Sequence, residues 1–187
     1  MYDKLRESVL SSPVIDKNGY PYIVNPIIDG IPRSDPEILR EVIDWLTAAA
    51  GSDYDVILAP ESMGIPLAVP LSLRSGIPYS VIRKRQYNLP GEIKVSSRTG
   101  YSSSDLYING VGRGDRVILV DDVLSTGGTL SSLVGALKDE GVAVNGVFVV
   151  FDKSTDRRAL EQKLGVNIRT MLGIGVRDGR PICFDVN

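Results

Sequence analysis

The chain has 187 residues, 43% apolar and 24% charged, the make-up of one ordinary globular domain long enough to bury a core. A formal net charge of −2 without a long basic run argues against a nucleic-acid surface, and no apolar run reaches the length of a membrane span. The absence of histidine excludes histidine bases, histidine–carboxylate triads and most zinc sites, and one cysteine, Cys183, excludes an internal disulfide and fits a reducing cytoplasm.

The N-terminal Met1-Tyr2-Asp3-Lys4-Leu5-Arg6 has no apolar stretch of the signal-peptide kind, and residues 5–10 predict a short helix. Tyr20 to Val24 reads as a short strand in a turn-rich region. Asp35-Pro36-Glu37 is a helix start, with Asp35 as N-cap and Pro36 at the first helical position; apolar residues then recur at helical spacing until Gly51. Residues 55–59 predict a strand, 64–74 a helix stopped by Gly76, and 77–83 a strand. Residues 86–104 are polar and show neither period, so a long loop is expected there. Residues 117–120 are a continuous apolar run, as in a strand buried on both faces. A helix over 130–140, a strand over 142–151 interrupted by Asn145-Gly146, and a helix over 156–164 follow. Segments 168–176 and 181–186 flank Asp178-Gly179 as a closing hairpin. Strands alternating with helices predict an α/β domain built on a parallel, doubly wound sheet, with ligands outside the carboxyl ends of the strands.

The stretch Val117 to Thr129 carries the clearest chemistry. Its apolar run ends in Asp121 and Asp122. The turn Ser125-Thr126-Gly127-Gly128-Thr129 then brings three hydroxyls and several backbone N–H groups to a helix N-terminus, a cradle for a phosphate. The two carboxylates stand too near such a phosphate to be its ligands and suit sugar hydroxyls or a metal. Thr129, not lysine, follows Gly128, which excludes a Walker-type phosphate loop.

Three further loops fall at the same sheet edge. Pro60-Glu61-Ser62-Met63-Gly64-Ile65-Pro66 precedes a helix and serves equally as an anion loop or a plain strand-to-helix turn. Arg83-Lys84-Arg85 ends a strand with three cations, enough to neutralise a pyrophosphate or to lie solvated. Phe151-Asp152-Lys153 ends the next strand.

The Asp121–Thr129 stretch resembles the 5-phosphoribosyl-1-pyrophosphate (PRPP) motif of type I phosphoribosyltransferases. Tyr22-Ile23-Val24-Asn25-Pro26, Asp29-Gly30-Ile31-Pro32, Leu89-Pro90-Gly91-Glu92 and Leu106-Tyr107-Ile108-Asn109-Gly110 are similar to the archaeal hypoxanthine/guanine branch, itself close to adenine phosphoribosyltransferases. The resemblance covers nearly the whole chain. It implies a single domain with a central parallel sheet flanked by helices, a flexible lid at about 86–104, and a small hood from the N-terminal segment and C-terminal tail. It implies transfer of 5-phosphoribosyl from PRPP to hypoxanthine or guanine, giving IMP or GMP and pyrophosphate, with Mg²⁺, in a cytoplasmic homodimer.

Residue by residue, the resemblance puts Asp121 and Asp122 on the ribose hydroxyls, with Mg²⁺ held mainly by substrate. Val123, Leu124, Ser125, Thr126, Gly127, Gly128 and Thr129 would hold the 5′-phosphate. Glu61, Ser62, Met63 and Gly64, in a loop with an unusual peptide, and Arg83, Lys84 and Arg85 would hold the pyrophosphate. Phe151 would stack on the purine and Lys153 would donate to a 6-oxo group; residues around Met171 to Ile174 would complete the base pocket. Other hypoxanthine/guanine enzymes carry an aspartate in place of Ser125, to handle the N7 proton. Its absence leaves Asp122, Glu92, a water or solvent for that task, and keeps an adenine enzyme as the alternative. A non-catalytic PRPP-sensing regulator, lacking any DNA-binding extension here, is a remote one.

Overall fold

The computed structural model describes residues 2–99 and 102–186. The elements run α1 (Asp3–Leu10), β1 (Val14–Lys17), β2 (Tyr20–Ile23), α2 (Pro26–Asp29), α3 (Pro36–Ala50), β3 (Val56–Pro60), α4 (Ile65–Ser75) and β4 (Tyr79–Ile82). They continue with β5 (Ile93–Thr99), β6 (Ser102–Ile108), β7 (Arg116–Leu124), α5 (Gly128–Asp139), β8 (Ala143–Asp152), α6 (Arg157–Leu164), β9 (Ile168–Arg177) and β10 (Arg180–Phe184). The main sheet has the order β10-β9-β8-β7-β3-β4, parallel except for β10. Helices cover both faces, as the alternating pattern predicts. Among the described residues no helix is long and apolar enough to cross a membrane.

β7 shows why the sheet is central. Ile118 and Val120 enter the core under α1, α3 and α4, while Val117 and Leu119 enter the second core under α5 and the β5–β6 hairpin. Burying each such side chain contributes roughly 1.5–3 kcal/mol, so both faces of the strand are committed. Asn145 is the extra residue of a bulge, since Val117 pairs with Val144 and Ile118 with Gly146. Asp35 accepts the Glu37 N–H at 2.8 Å and starts α3, as its sequence position predicts.

Three expectations need correction. Residues 86–104 are not all irregular: β5 and β6 form an antiparallel hairpin of their own. Ile93 and Val95 on one strand and Leu106 and Ile108 on the other are buried, while Lys94 and Asp105 pair outside at 2.8 Å. The apolar alternation is confined to the hairpin's base, and the polar remainder hides it from a periodicity reading. Gly100 and Tyr101, within the expected lid, lie outside the described residues. The C-terminal tail is not a hood but an edge: β10 pairs along β9 through a turn in which Asp178 and Gly179 both have positive φ. Met171, Leu172 and Ile174 are core residues of the sheet and offer no surface to a base. Half-buried Cys183 packs on that core.

At the N-terminus, β1 and β2 make a separate hairpin. Asn25, wholly buried, caps α2 by accepting the Ile27 N–H at 3.0 Å, and its amide donates to the hydroxyls of Ser8 and Ser12 at 3.0 Å each. This network ties the hairpin to α1.

Candidate active site

β7 extends beyond Val120 because its ladder with β8 continues to the Leu124–Asp152 pair. Asp121 and Asp122 therefore stand within the strand, held by sheet backbone rather than by a loop. The Asp122 N–H donates to Asp121 Oδ1 at 3.0 Å. Burial, with the charge of Asp122 added, raises the Asp121 carboxyl well above the usual aspartate range. Asp122 is raised too, by burial first and further by the charge of Asp29 on α2.

Beyond β7 the chain turns through Ser125–Gly127 into α5. Gly127 has φ 73°, and a Cβ there would lie 2.5 Å from Leu160 Cδ2, so both backbone and packing require glycine. Among the described residues no side chain caps α5, which leaves the N–H groups of its first turn without a side-chain acceptor. Gly64 is required for a different reason. A Cβ there would meet the carbonyl oxygens of Pro60 at 2.7 Å and Val120 at 2.9 Å, so the β3–α4 loop lies directly on β7 beside the acid pair. The Glu61–Ser62 peptide in this loop is cis, which meets the expectation of an unusual peptide.

These pieces enclose one cleft of about 520 Å³. Glu61, Ser62 and Met63 line it, as do Lys84, Asp121 and Asp122, and the run from Val123 to Thr129; Ile28 of the N-terminal segment joins them. The two loops, the acid pair and the Ser125–Thr129 turn are thus brought together as the sequence predicts. Leu124 also belongs to the core under α5, and its carbonyl accepts the Lys153 N–H at 2.8 Å.

Several predicted residues stand elsewhere. Of the three cations only Lys84 lines the cleft. Arg83 Nη1 donates to Glu61 Oε2 at 2.8 Å and its backbone bridges to Tyr107, so it braces the loop; the Arg85 guanidinium lies 5.7 Å from the Tyr87 ring. Glu61 is no phosphate ligand: it also accepts the Lys84 N–H at 2.7 Å, and these bonds hold its carboxyl below the usual range. Glu92 accepts from the N–H groups of Tyr87 and Asn88 and from the Asn109 amide. Its pKa is lowered, which makes it a turn-closing carboxylate and a poor base. Phe151 is 0% exposed and belongs to the core, so its ring presents no face to a ligand.

The aromatic groups that do reach Lys153 come from β2. Its ammonium lies 5.1 Å from the Tyr20 ring centroid and 5.7 Å from that of Tyr22. Sequence reasoning missed these tyrosines because the contact spans more than 130 residues and no local period marks it.

The Phosphoribosyl transferase domain model matches residues 35–168, more than half of the chain. The chain belongs to the phosphoribosyltransferase family. This phosphoribosyltransferase is 47% identical over 186 residues to the hypoxanthine/guanine phosphoribosyltransferase of Methanothermobacter thermautotrophicus, covering 100% of the chain and 96% of that relative. It is 45% identical to the protein of the same name from Methanohalophilus mahii, over 99% of the chain and 97% of the relative. With HGPRTase-like protein 2 of Haloterrigena turkmenica it shares 48% identity over 95% of the chain and 97% of that protein. Among solved structures, adenine phosphoribosyltransferase from Thermoanaerobacter pseudethanolicus superposes with a TM-score of 0.75 at 24% identity, covering 92% of this chain and 99% of that one. The Saccharomyces cerevisiae adenine enzyme gives 0.71 at 23%, covering 91% and 98%. At such identity the structural likeness speaks to the fold.

Proposed function

We propose that this phosphoribosyltransferase joins a 6-oxopurine, hypoxanthine or guanine, to the phosphoribosyl group of PRPP and releases pyrophosphate. The observation that carries the reading is the cleft in which a half-buried carboxylate pair within β7 adjoins an uncapped, hydroxyl-rich helix N-terminus. Support for the base comes from full-length relatives named for hypoxanthine and guanine.

In this reading the Ser125–Thr129 turn and the first N–H groups of α5 hold the 5′-phosphate, and that remote anchor fixes the reacting sugar carbon. Asp121 and Asp122 accept from the ribose hydroxyls. As pyrophosphate departs, the ribose gains positive charge, and two carboxylates held in a desolvated site favour it strongly. Lys84 and the N–H groups of Ser62 and Met63 take the leaving pyrophosphate, the Gly64 N–H being bonded to Pro60 O. The base nitrogen forms its bond to the sugar carbon from which pyrophosphate has left, and its N7 proton passes to Asp122, a water or solvent.

Mg²⁺ fits the donor set. Among the described residues no cluster of three or more His, Cys, Asp or Glu could cage a metal. The cleft offers two carboxylates, hard oxygen donors whose burial favours a cation beside them. Asp121 and Asp122 would hold it together with substrate oxygens, and when bound it would draw charge from the pyrophosphate.

Incubating the protein with PRPP, Mg²⁺ and each of hypoxanthine, guanine and adenine tests the reading by product chromatography. IMP and GMP are expected, and no nucleotide from any purine would overturn it. An adenine enzyme is the second reading, favoured by Ser125 in place of an acid; AMP alone as product would establish it. The family resemblance also carries a homodimer, which sedimentation tests.

A further inference from the structure

We infer that Tyr20 and Tyr22 form an aromatic cage that positions the Lys153 ammonium and so sets the preference for a 6-oxo over a 6-amino purine. The inference rests on the purine reading above.

Lys153 has a fixed backbone, since its N–H is bonded to Leu124 O beside the phosphate turn. Its side chain has four rotatable bonds and, left alone, samples many positions. Two rings restrain it. Tyr20 and Tyr22 are two residues apart on β2, so they emerge on the same side of the strand, and their centroids lie 5.1 and 5.7 Å from Nζ. Both distances are within the range of cation–ring attraction. The Tyr22 ring is itself held: its hydroxyl donates to Asp29 Oδ1 at 2.7 Å, and Asp29 Oδ2 accepts the Asn25 N–H at 3.1 Å. That hydroxyl is pushed up by burial, by its bond to Asp29 and by the charges of Asp29 and Asp122, and Asp29 directly follows Ile28, which lines the cleft. Lys17 lies 4.3 Å from the Tyr22 centroid as well, whereas among the described residues Tyr20 has only Lys153 over it.

A held ammonium discriminates where a mobile one does not. It donates to a 6-oxo oxygen and meets the 6-amino group of adenine as donor against donor. A mobile lysine swings clear of adenine and gives up its bond to hypoxanthine. Loss of the cage therefore acts on the ratio of the two bases, through KM for the base, more than on turnover. Phe151, buried in the core, supplies no alternative ring.

The test compares wild type with Tyr20→Leu/Tyr22→Leu, Tyr22→Phe and Lys17→Met. Steady-state kinetics give kcat/KM for hypoxanthine and adenine with PRPP and Mg²⁺. NMR of the free protein gives the lysine ε-methylene resonance that vanishes in Lys153→Met. An upfield ring-current shift of that resonance is expected in wild type and Tyr22→Phe and is lost in the double leucine variant. The hypoxanthine-to-adenine ratio should fall about tenfold in the double variant, through KM, fall by less in Tyr22→Phe, which keeps the ring but loses its bond to Asp29, and stay within about twofold in Lys17→Met. An equal loss for both bases overturns the inference, as does an equally large fall in Tyr22→Phe or Lys17→Met. A wild-type resonance without the shift overturns the cage itself. No nucleotide from any purine, with the shift intact, would instead strike the purine reading and the specificity role with it.

Discussion

Glu61 and Arg83 are locked together: the Glu61 carboxylate takes the Arg83 guanidinium at 2.8 Å on one oxygen and the Lys84 N–H at 2.7 Å on the other. The ends of β3 and β4 are thereby joined, and Lys84 is left as the cation that lines the cleft. Glu61→Gln keeps the shape and weakens both bonds. KM for PRPP should rise about tenfold with kcat changed less than about threefold, measured by steady-state kinetics. The pair also has a pH signature. Arg83 and the Lys84 N–H lower the Glu61 pKa below its ordinary 4.5, so its contribution to stability is complete above that value and is lost as pH falls through the lowered one. Acid unfolding of Glu61→Gln should accordingly lack that component.

Asp121 and Asp122 carry the opposite sign. Burial raises both, so the folded protein holds protons more tightly than the unfolded chain does. The stability cost is absent below the ordinary aspartate value of 3.8 and grows as pH rises through the raised values. Asp121→Asn should therefore melt higher than wild type, with a difference in Tm that widens as pH rises. The Asp121→Asn/Asp122→Asn double variant should lose turnover by on the order of 10²-fold or more while remaining folded by circular dichroism. Unchanged turnover would show that the ribose does not lie on these residues.

Gly127→Ala tests the turn that opens α5. The alanine has to adopt φ 73° and its Cβ meets Leu160 Cδ2. A left-handed residue costs about 1–2 kcal/mol before the contact is counted, so Tm should fall by roughly 5 °C. Adding Leu160→Ala removes the contact but not the backbone cost. A double-mutant cycle should show a favourable coupling of about 1 kcal/mol between the two substitutions.

Glu92 was legible in the sequence as a catalytic candidate, and its bonds to Tyr87, Asn88 and Asn109 place it in a turn. Glu92→Gln should change kcat by less than about threefold and leave the pH–rate profile in place, where loss of a general base costs about 10²–10⁴-fold.

What could be read in advance follows the range of the interaction that fixes it. Asp35, Pro36 and Gly51 delimit α3 through local capping, and the Val117–Thr129 stretch encodes its strand, acids and turn in consecutive residues. The alternating strands and helices were enough for the sheet. Arg83, Phe151 and Glu92 were misplaced because their surroundings come from distant segments: Glu61 captures the arginine, the core takes the phenylalanine, and Asn109 closes on the glutamate. The rings over Lys153 were invisible for the same reason.

The most direct measurement is the ratio of kcat/KM for hypoxanthine to that for adenine, taken on one preparation with saturating PRPP and Mg²⁺. A hypoxanthine preference of about 10²-fold or more, with IMP and pyrophosphate formed in equal amounts, is the predicted result. A preference for adenine, or no nucleotide from either base, would contradict it.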